Sequence, residues 1–152
     1  MLASGRLTNE WTDTLEEAFG ANGSKGRDGE LFVIDAVCSW GWLVKDNETD
    51  YQEQVAGQDI WIKKPTWSNY YSVDVKANLD KYGNFYVVPK EWLNPKKRNH
   101  RFWHVNVDTG WMAWYDRIDM QEYIKSNNIT NTFKIGLKDK LPFEITRRRH
   151  AK

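Results

Sequence analysis

Two short segments hold the residues whose types and spacing could do chemistry: Gln58-Asp59-Ile60-Trp61-Ile62-Lys63 and Tyr71-Ser72-Val73-Asp74-Val75-Lys76-Ala77. Each alternates as a half-buried strand does. Between them, Pro65-Thr66-Trp67-Ser68-Asn69 has turn chemistry. A hairpin centred between Thr66 and Trp67 sets Asp59 opposite Asp74, Ile60 opposite Val73 and Ile62 opposite Tyr71. One face then carries Ile60, Ile62, Val73, Val75 and Ala77, a core face. The other carries Asp59, Trp61, Lys63, Ser72, Asp74, Lys76 and Asn78. Slipping the pairing by one residue would bury the charges, so the pattern specifies its own register.

Like charges opposed across two strands destabilise a sheet. A hard divalent cation compensates them, and magnesium prefers one or two carboxylates together with waters and phosphate oxygens; manganese can substitute. Lys76 stands on the same face. Its ammonium can orient or help deprotonate an attacking water, or stabilise charge growing on a phosphorane-like transition state. The competing reading is a solvated hairpin face on which Asp74 pairs with Lys76 or Lys63.

Asp59 followed at a distance by Asp74-Val75-Lys76 resembles the core motif of the PD-(D/E)XK nucleases, which have the restriction-endonuclease-like fold. Within that family the chain resembles the small phage or Holliday-junction-resolvase types. The resemblance spans a helix at 9–20, a strand from Leu31 and the motif hairpin, and continues loosely to a helix near Ile118. It implies that the first Asp opens the second core strand and that the Asp-x-Lys lies on the third. Gln58 stands where a proline would complete the motif, at a position that varies in the family. The resemblance further implies a magnesium ion held by Asp59, Asp74 and the main-chain carbonyl of Val75, with Lys76 catalytic. Many relatives add a glutamate from the first helix, for which Glu10, Glu16 and Glu17 are candidates. Glu16 flanks the apolar stripe and could reach the edge of the sheet, although a capping box with Asp13 explains it equally well. The implied activity is hydrolysis of nucleic acid phosphodiesters by an endonuclease acting on DNA rather than RNA, with a homodimer left open.

The elements that must position these residues follow from periodicity. Trp11, Leu15, Ala18 and Phe19 fall on one face of a helix over 9–20. Residues 21–29 read as a loop without the Gly-Lys-Ser/Thr of a phosphate loop. Leu31 to Leu43 is apolar on both faces and predicts a strand covered on both sides. Asp46 to Gly57 reads as a polar loop. A strand is expected at Phe85–Val88, a turn or short helical piece at Pro89–Leu93, and a hairpin of Phe102–Val107 and Trp111–Tyr115 around Asp108-Thr109-Gly110. A helix is expected over Ile118–Ser126. The expected architecture is α/β (α+β): one restriction-endonuclease-like domain over 1–152, a mixed central sheet flanked by helices.

Composition narrows the function classes. The 152 residues carry a formal net charge of +1, so a nucleic-acid surface must come from local clusters. Lys63-Lys64, the run Lys96-Lys97-Arg98-Asn99-His100-Arg101, and Arg147 to Arg149, read as a tail, are such clusters. Cys38 is the only cysteine, which excludes an internal disulfide and a cysteine-based zinc cage and suits an intracellular, cytoplasmic setting. The first residues lack an apolar run of signal-peptide length, and no stretch approaches a membrane span. His100, His104 and His150 are too scattered for a zinc site, and His104 reads as structural. Asp35 is a paired core carboxylate or a fallback metal ligand. Nine tryptophans keep a Trp-rich carbohydrate-binding β-domain open as a rival; Trp61 and Trp67 flank the proposed site and either pack or stack on a base. Two more rivals are a non-catalytic nucleic-acid-binding protein of the same fold and an enzyme using Asp59 and Asp74 as an acid/base pair on sugars.

Overall fold

The computed structural model describes residues 26–46 and 58–150, and the expected helix at 9–20, with Glu10, Glu16 and Glu17, lies outside them. The first described element, α1, is a helix over 26–39. Leu31–Leu43 is therefore not the strand its β-branched content predicts. Phe32, Val33, Ala36 and Val37 recur at helical spacing and are all buried in one stripe. The helix ends at Gly41, whose φ of +82° admits the left-handed turn. Gly41 N–H donates to Cys38 O (2.9 Å) and Trp42 N–H to Val37 O (2.9 Å), the paired bonds of a Schellman stop.

Eight strands and two further helices follow: β1 (Leu43–Asp46), β2 (Ile60–Lys63), β3 (Tyr71–Lys76), β4 (Asn84–Val87), α2 (Pro89–Trp92), β5 (Arg101–Val105), β6 (Trp111–Asp116), α3 (Arg117–Ser126), β7 (Phe133–Gly136) and β8 (Thr146–Arg149). Six of them form one sheet in the order β1-β2-β3-β5-β6-β8. Every neighbouring pair is antiparallel except β3 and β5, which run parallel. A parallel pair needs a crossover, and β4 and α2 supply it. β4 also pairs with β7 in a separate two-stranded ribbon. The chain is thus a mixed α/β protein with a mixed central sheet. Arg147–Arg149 belong to β8, an edge strand of that sheet bonded to β6, and not to a tail.

The sheet divides two cores. On one side Phe32, Val33, Ala36 and Val37 of α1 pack on Ile60, Ile62, Val73, Val75, Trp103, Val105, Met112 and Trp114. On the other, Phe102, Ala113 and Tyr115 meet Trp92 of α2, Met120 and Ile124 of α3, and Phe85, Val87 and Ile135 of the β4–β7 ribbon. β3 lies between them and is covered on both faces from Ser72 to Val75. The face bearing Asp74 is therefore not the solvated side of a hairpin. Among the described residues no helix is long and apolar enough to cross a membrane.

Candidate functional site

The motif hairpin has the register expected of it: Ile60 pairs with Val73, Trp61 with Ser72 and Ile62 with Tyr71. The ladder ends at the Ile60–Val73 pair, so the expected pairing of Asp59 with Asp74 is not part of it; Asp59 lies immediately before β2. Asp59 N–H donates to Val73 O at 3.0 Å, and Val75 N–H donates to Oδ2 of Asp59 at 2.9 Å. The Asp59 side chain thus takes over a ladder bond where β2 has not yet begun. A strand residue turns its N–H and C=O toward the same neighbour. The Val75 carbonyl therefore faces the β2 side as well, beside the Asp59 carboxyl.

Asp59 and Asp74 are both buried, and each acts on the charge of the other. Two carboxyls in contact cannot both ionise without compensation. Burial, then the charges of Asp74 and Glu30, hold the Asp59 carboxyl well above the usual range, against the Val75 N–H and Lys76. For Asp74 burial works in the same upward direction, but Lys76 and Lys97 outweigh it and bring the group below its ordinary value. Without a cation the pair therefore rests as one ionised Asp74 and one Asp59 that resists ionisation.

The lysines come from two elements. Lys76, on β3, approaches Asp74 Oδ1 at 3.7 Å and hydrogen-bonds Glu91 of α2. Lys97, in the connection from α2 to β5, meets Asp74 Oδ2 at 2.8 Å and Glu91 at 3.8 Å. Burial tends to lower the Lys76 ammonium, but Asp74 and Glu91 raise it overall. Lys76 is hence held as a cation by Asp74 and Glu91, a state that suits orienting groups and stabilising negative charge. Lys97, expected only as one of several surface phosphate contacts, turns inward to the site.

A further carboxylate arrives from α1. Glu30 accepts a hydrogen bond from Arg27 at 3.0 Å, and Arg27 also grips Asp46 of β1 through bonds of 2.9 and 2.5 Å. Burial raises the Glu30 pKa against the pull of Arg27, and the charges of Asp46 and Asp74 add to the rise. Glu30 is thus a helix glutamate whose charge is felt by Asp59 and Asp74, though its own partner is Arg27; Glu16, expected as the helix glutamate, lies outside the described residues. Reading 31–43 as a strand hid it, although the helical spacing of Phe32, Val33, Ala36 and Val37 was a visible signal.

Other expected candidates fall elsewhere. Asp35 is exposed on α1 and meets His150 Nε2 at 2.9 Å instead of the carboxylate pair. His104 is fully buried between Asn78 Oδ1 (2.6 Å) and the Tyr115 hydroxyl (2.9 Å), and stacks on Phe85. Burial and, after it, Lys76 push its pKa down to about 3, so it is a neutral structural ring. Among the described residues no three His, Cys, Asp or Glu side chains are grouped as a metal cage. Magnesium keeps several waters and takes one or two carboxylates; Asp59 and Asp74 are two such carboxylates, with Lys76 and Lys97 already beside Asp74. Against known proteins, the chain matches no family model, no curated protein and no solved structure.

Proposed function

We propose that this protein is a metal-dependent nuclease of the PD-(D/E)XK type that hydrolyses nucleic acid phosphodiester bonds, with DNA the preferred substrate. The observation that carries the reading is the forced meeting of two buried carboxyls, Asp59 and Asp74, with an ammonium on the same strand. The order of elements supports it: a helix offering Glu30, an aspartate at the start of the second strand, and Asp74-Val75-Lys76 on the third. In this reading Asp59, Asp74 and the Val75 carbonyl hold magnesium, and Glu30 adds negative charge beside them. When bound, the ion would polarise a phosphoryl oxygen and lower the pKa of a water. Lys76 orients that water and stabilises charge developing on the phosphate. Glu91 holds Lys76 in place, and Lys97 neutralises Asp74 until substrate phosphate competes for it.

That last contact favours one second reading. Lys97 at 2.8 Å from Asp74 already compensates the charge, as it would in a non-catalytic nucleic-acid-binding protein of the same fold. Incubation of labelled DNA and RNA, single-stranded, duplex and branched, with magnesium, manganese or chelator separates the two. The nuclease reading expects metal-dependent cutting that Asp74→Asn lowers by a factor of about 100 or more with folding unchanged. Binding without cutting under every condition supports the second reading.

A further inference from the structure

Beside the carboxylates runs a stack of rings that the proposed chemistry does not use. Trp67 stacks on Tyr71 with centroids 5.0 Å apart, Tyr71 stacks on His100 at 5.2 Å, and Trp61 meets His100 edge-on at 6.1 Å. Two cations lie over it. The Arg101 guanidinium is 5.3 Å from the Trp67 ring and 5.1 Å from that of Tyr71, and the Lys64 ammonium is 5.5 Å from Trp67 and 5.1 Å from Trp42. Trp61 and Trp67 belong to neither core cluster, and both are only half-buried, while His100 is exposed. Tyr71 also packs against the α1-side core, but core packing does not account for Trp61, Trp67 or His100.

The stack is held rigidly. Ser72 N–H donates to His100 Nδ1 and His100 N–H to Ser72 O, each at 3.0 Å. Arg117 donates from Nε to Asn99 O at 2.6 Å and from its backbone N–H to His100 O at 2.9 Å. Its position is equally defined. Trp61 and Ser72 are cross-strand partners, each two residues along its strand from Asp59 or Asp74 and on the same face. The separation is about 7 Å, roughly two nucleotide steps.

We propose that this ladder of Trp67, Tyr71, His100 and Trp61, with Arg101 and Lys64, is a stacking platform for unpaired bases next to the cleaved phosphate, so that the substrate is a single-stranded segment of nucleic acid. The inference rests on reading the Asp59–Asp74 site as a nuclease centre. Rings reach a base only through its π-face, which a duplex keeps covered and a single strand exposes. The cations set among the rings suit phosphates, the anionic groups that a neutral sugar chain lacks.

The test is fluorescence anisotropy of the full chain with a labelled oligothymidylate and with a blunt duplex of equal length, both in chelator so that nothing is cut. The single strand should bind more tightly than the duplex. Trp61→Leu and Trp67→Leu should each weaken it by about 5- to 100-fold with the melting temperature little changed; Trp67 belongs to neither core cluster, so its variant serves if Trp61→Leu fails to fold. Asp74→Asn should still bind the strand while losing cleavage. Cleavage without single-strand preference, variants that bind like wild type, or an oligosaccharide that displaces the strand would each overturn the platform and leave the nuclease reading standing. Tight single-strand binding, lost in both ring variants, in a protein that cuts nothing would keep the platform and remove the nuclease centre.

Discussion

The two faces of the central sheet bury comparable amounts of chain for different ends. Beneath α1 the sheet presents Ile60, Ile62, Val73, Val75, Trp103 and Val105, and the interface is apolar throughout. Across β3 the same strand presents Ser72 and Asp74, both buried, and Lys76. Burial of apolar surface stabilises at about 25 cal/mol per Å², whereas a buried charge is unfavourable unless it is paired. The face that carries Asp74 balances it with Lys76 and Lys97, beside a second apolar cluster that includes Phe85, Trp92, Phe102 and Tyr115. Both faces hold the fold together, and one of them also holds buried charge.

The contrast can be broken from either side. Asp74→Ala leaves Lys97 and Lys76 with only Glu91 between them and should destabilise the protein by about 3–5 kcal/mol in denaturant titration, while removing cleavage. Ile62→Ala, on the opposite face of the neighbouring strand, should cost about 2–5 kcal/mol through its cavity but leave the cleavage rate of the folded fraction unchanged. A comparable loss of activity in Ile62→Ala would show that the faces are not separate.

The charged face should also carry the acid sensitivity. His104 has a folded pKa near 3 against an ordinary value of 6.5. Between those values the unfolded chain binds a proton that the folded one refuses, so stability falls as the pH falls through that window. The slope from this group is roughly 1.4 kcal/mol per pH unit well inside it. Urea titrations from pH 7 to pH 4 should show a shallower loss for His104→Gln than for wild type.

Asp59→Asn has the opposite sign. It removes a carboxyl that burial and Asp74 keep from ionising, and should raise the melting temperature of the metal-free protein at neutral pH while abolishing any metal-dependent cleavage. Glu30→Gln is the mildest change: folding should hold, with metal affinity lowered by about 10-fold in a cleavage titration against magnesium.

What could be read from the residues followed the same division. The β2–β3 register, the β5–β6 hairpin and α3 were legible because period-two and helical patterns there agree with local propensity. α1 was misread because Leu31-Phe32-Val33-Ile34 is rich in residues that favour strands, and only packing against the sheet decides between the two periods. Arg147–Arg149 gave no alternation to mark β8, whose pairing with β6 is a long-range event. At the site, Asp59, Asp74 and Lys76 were legible because they share a hairpin. Glu30, Glu91 and Lys97 were not, because they reach it through a helix and a crossover whose placement is tertiary.

The proposed nuclease chemistry would depend on a divalent cation completing the Asp59–Asp74 pair. The direct measurement is calorimetric titration of magnesium into the wild-type protein and into Asp59→Asn, with the melting temperature followed in parallel. The account predicts binding to the wild type that raises its melting temperature by mass action, and neither effect in the variant. Wild-type protein that takes up no magnesium, with a melting temperature indifferent to it, would contradict the account and leave Asp59 and Asp74 as a proton-sharing pair balanced by Lys76 and Lys97.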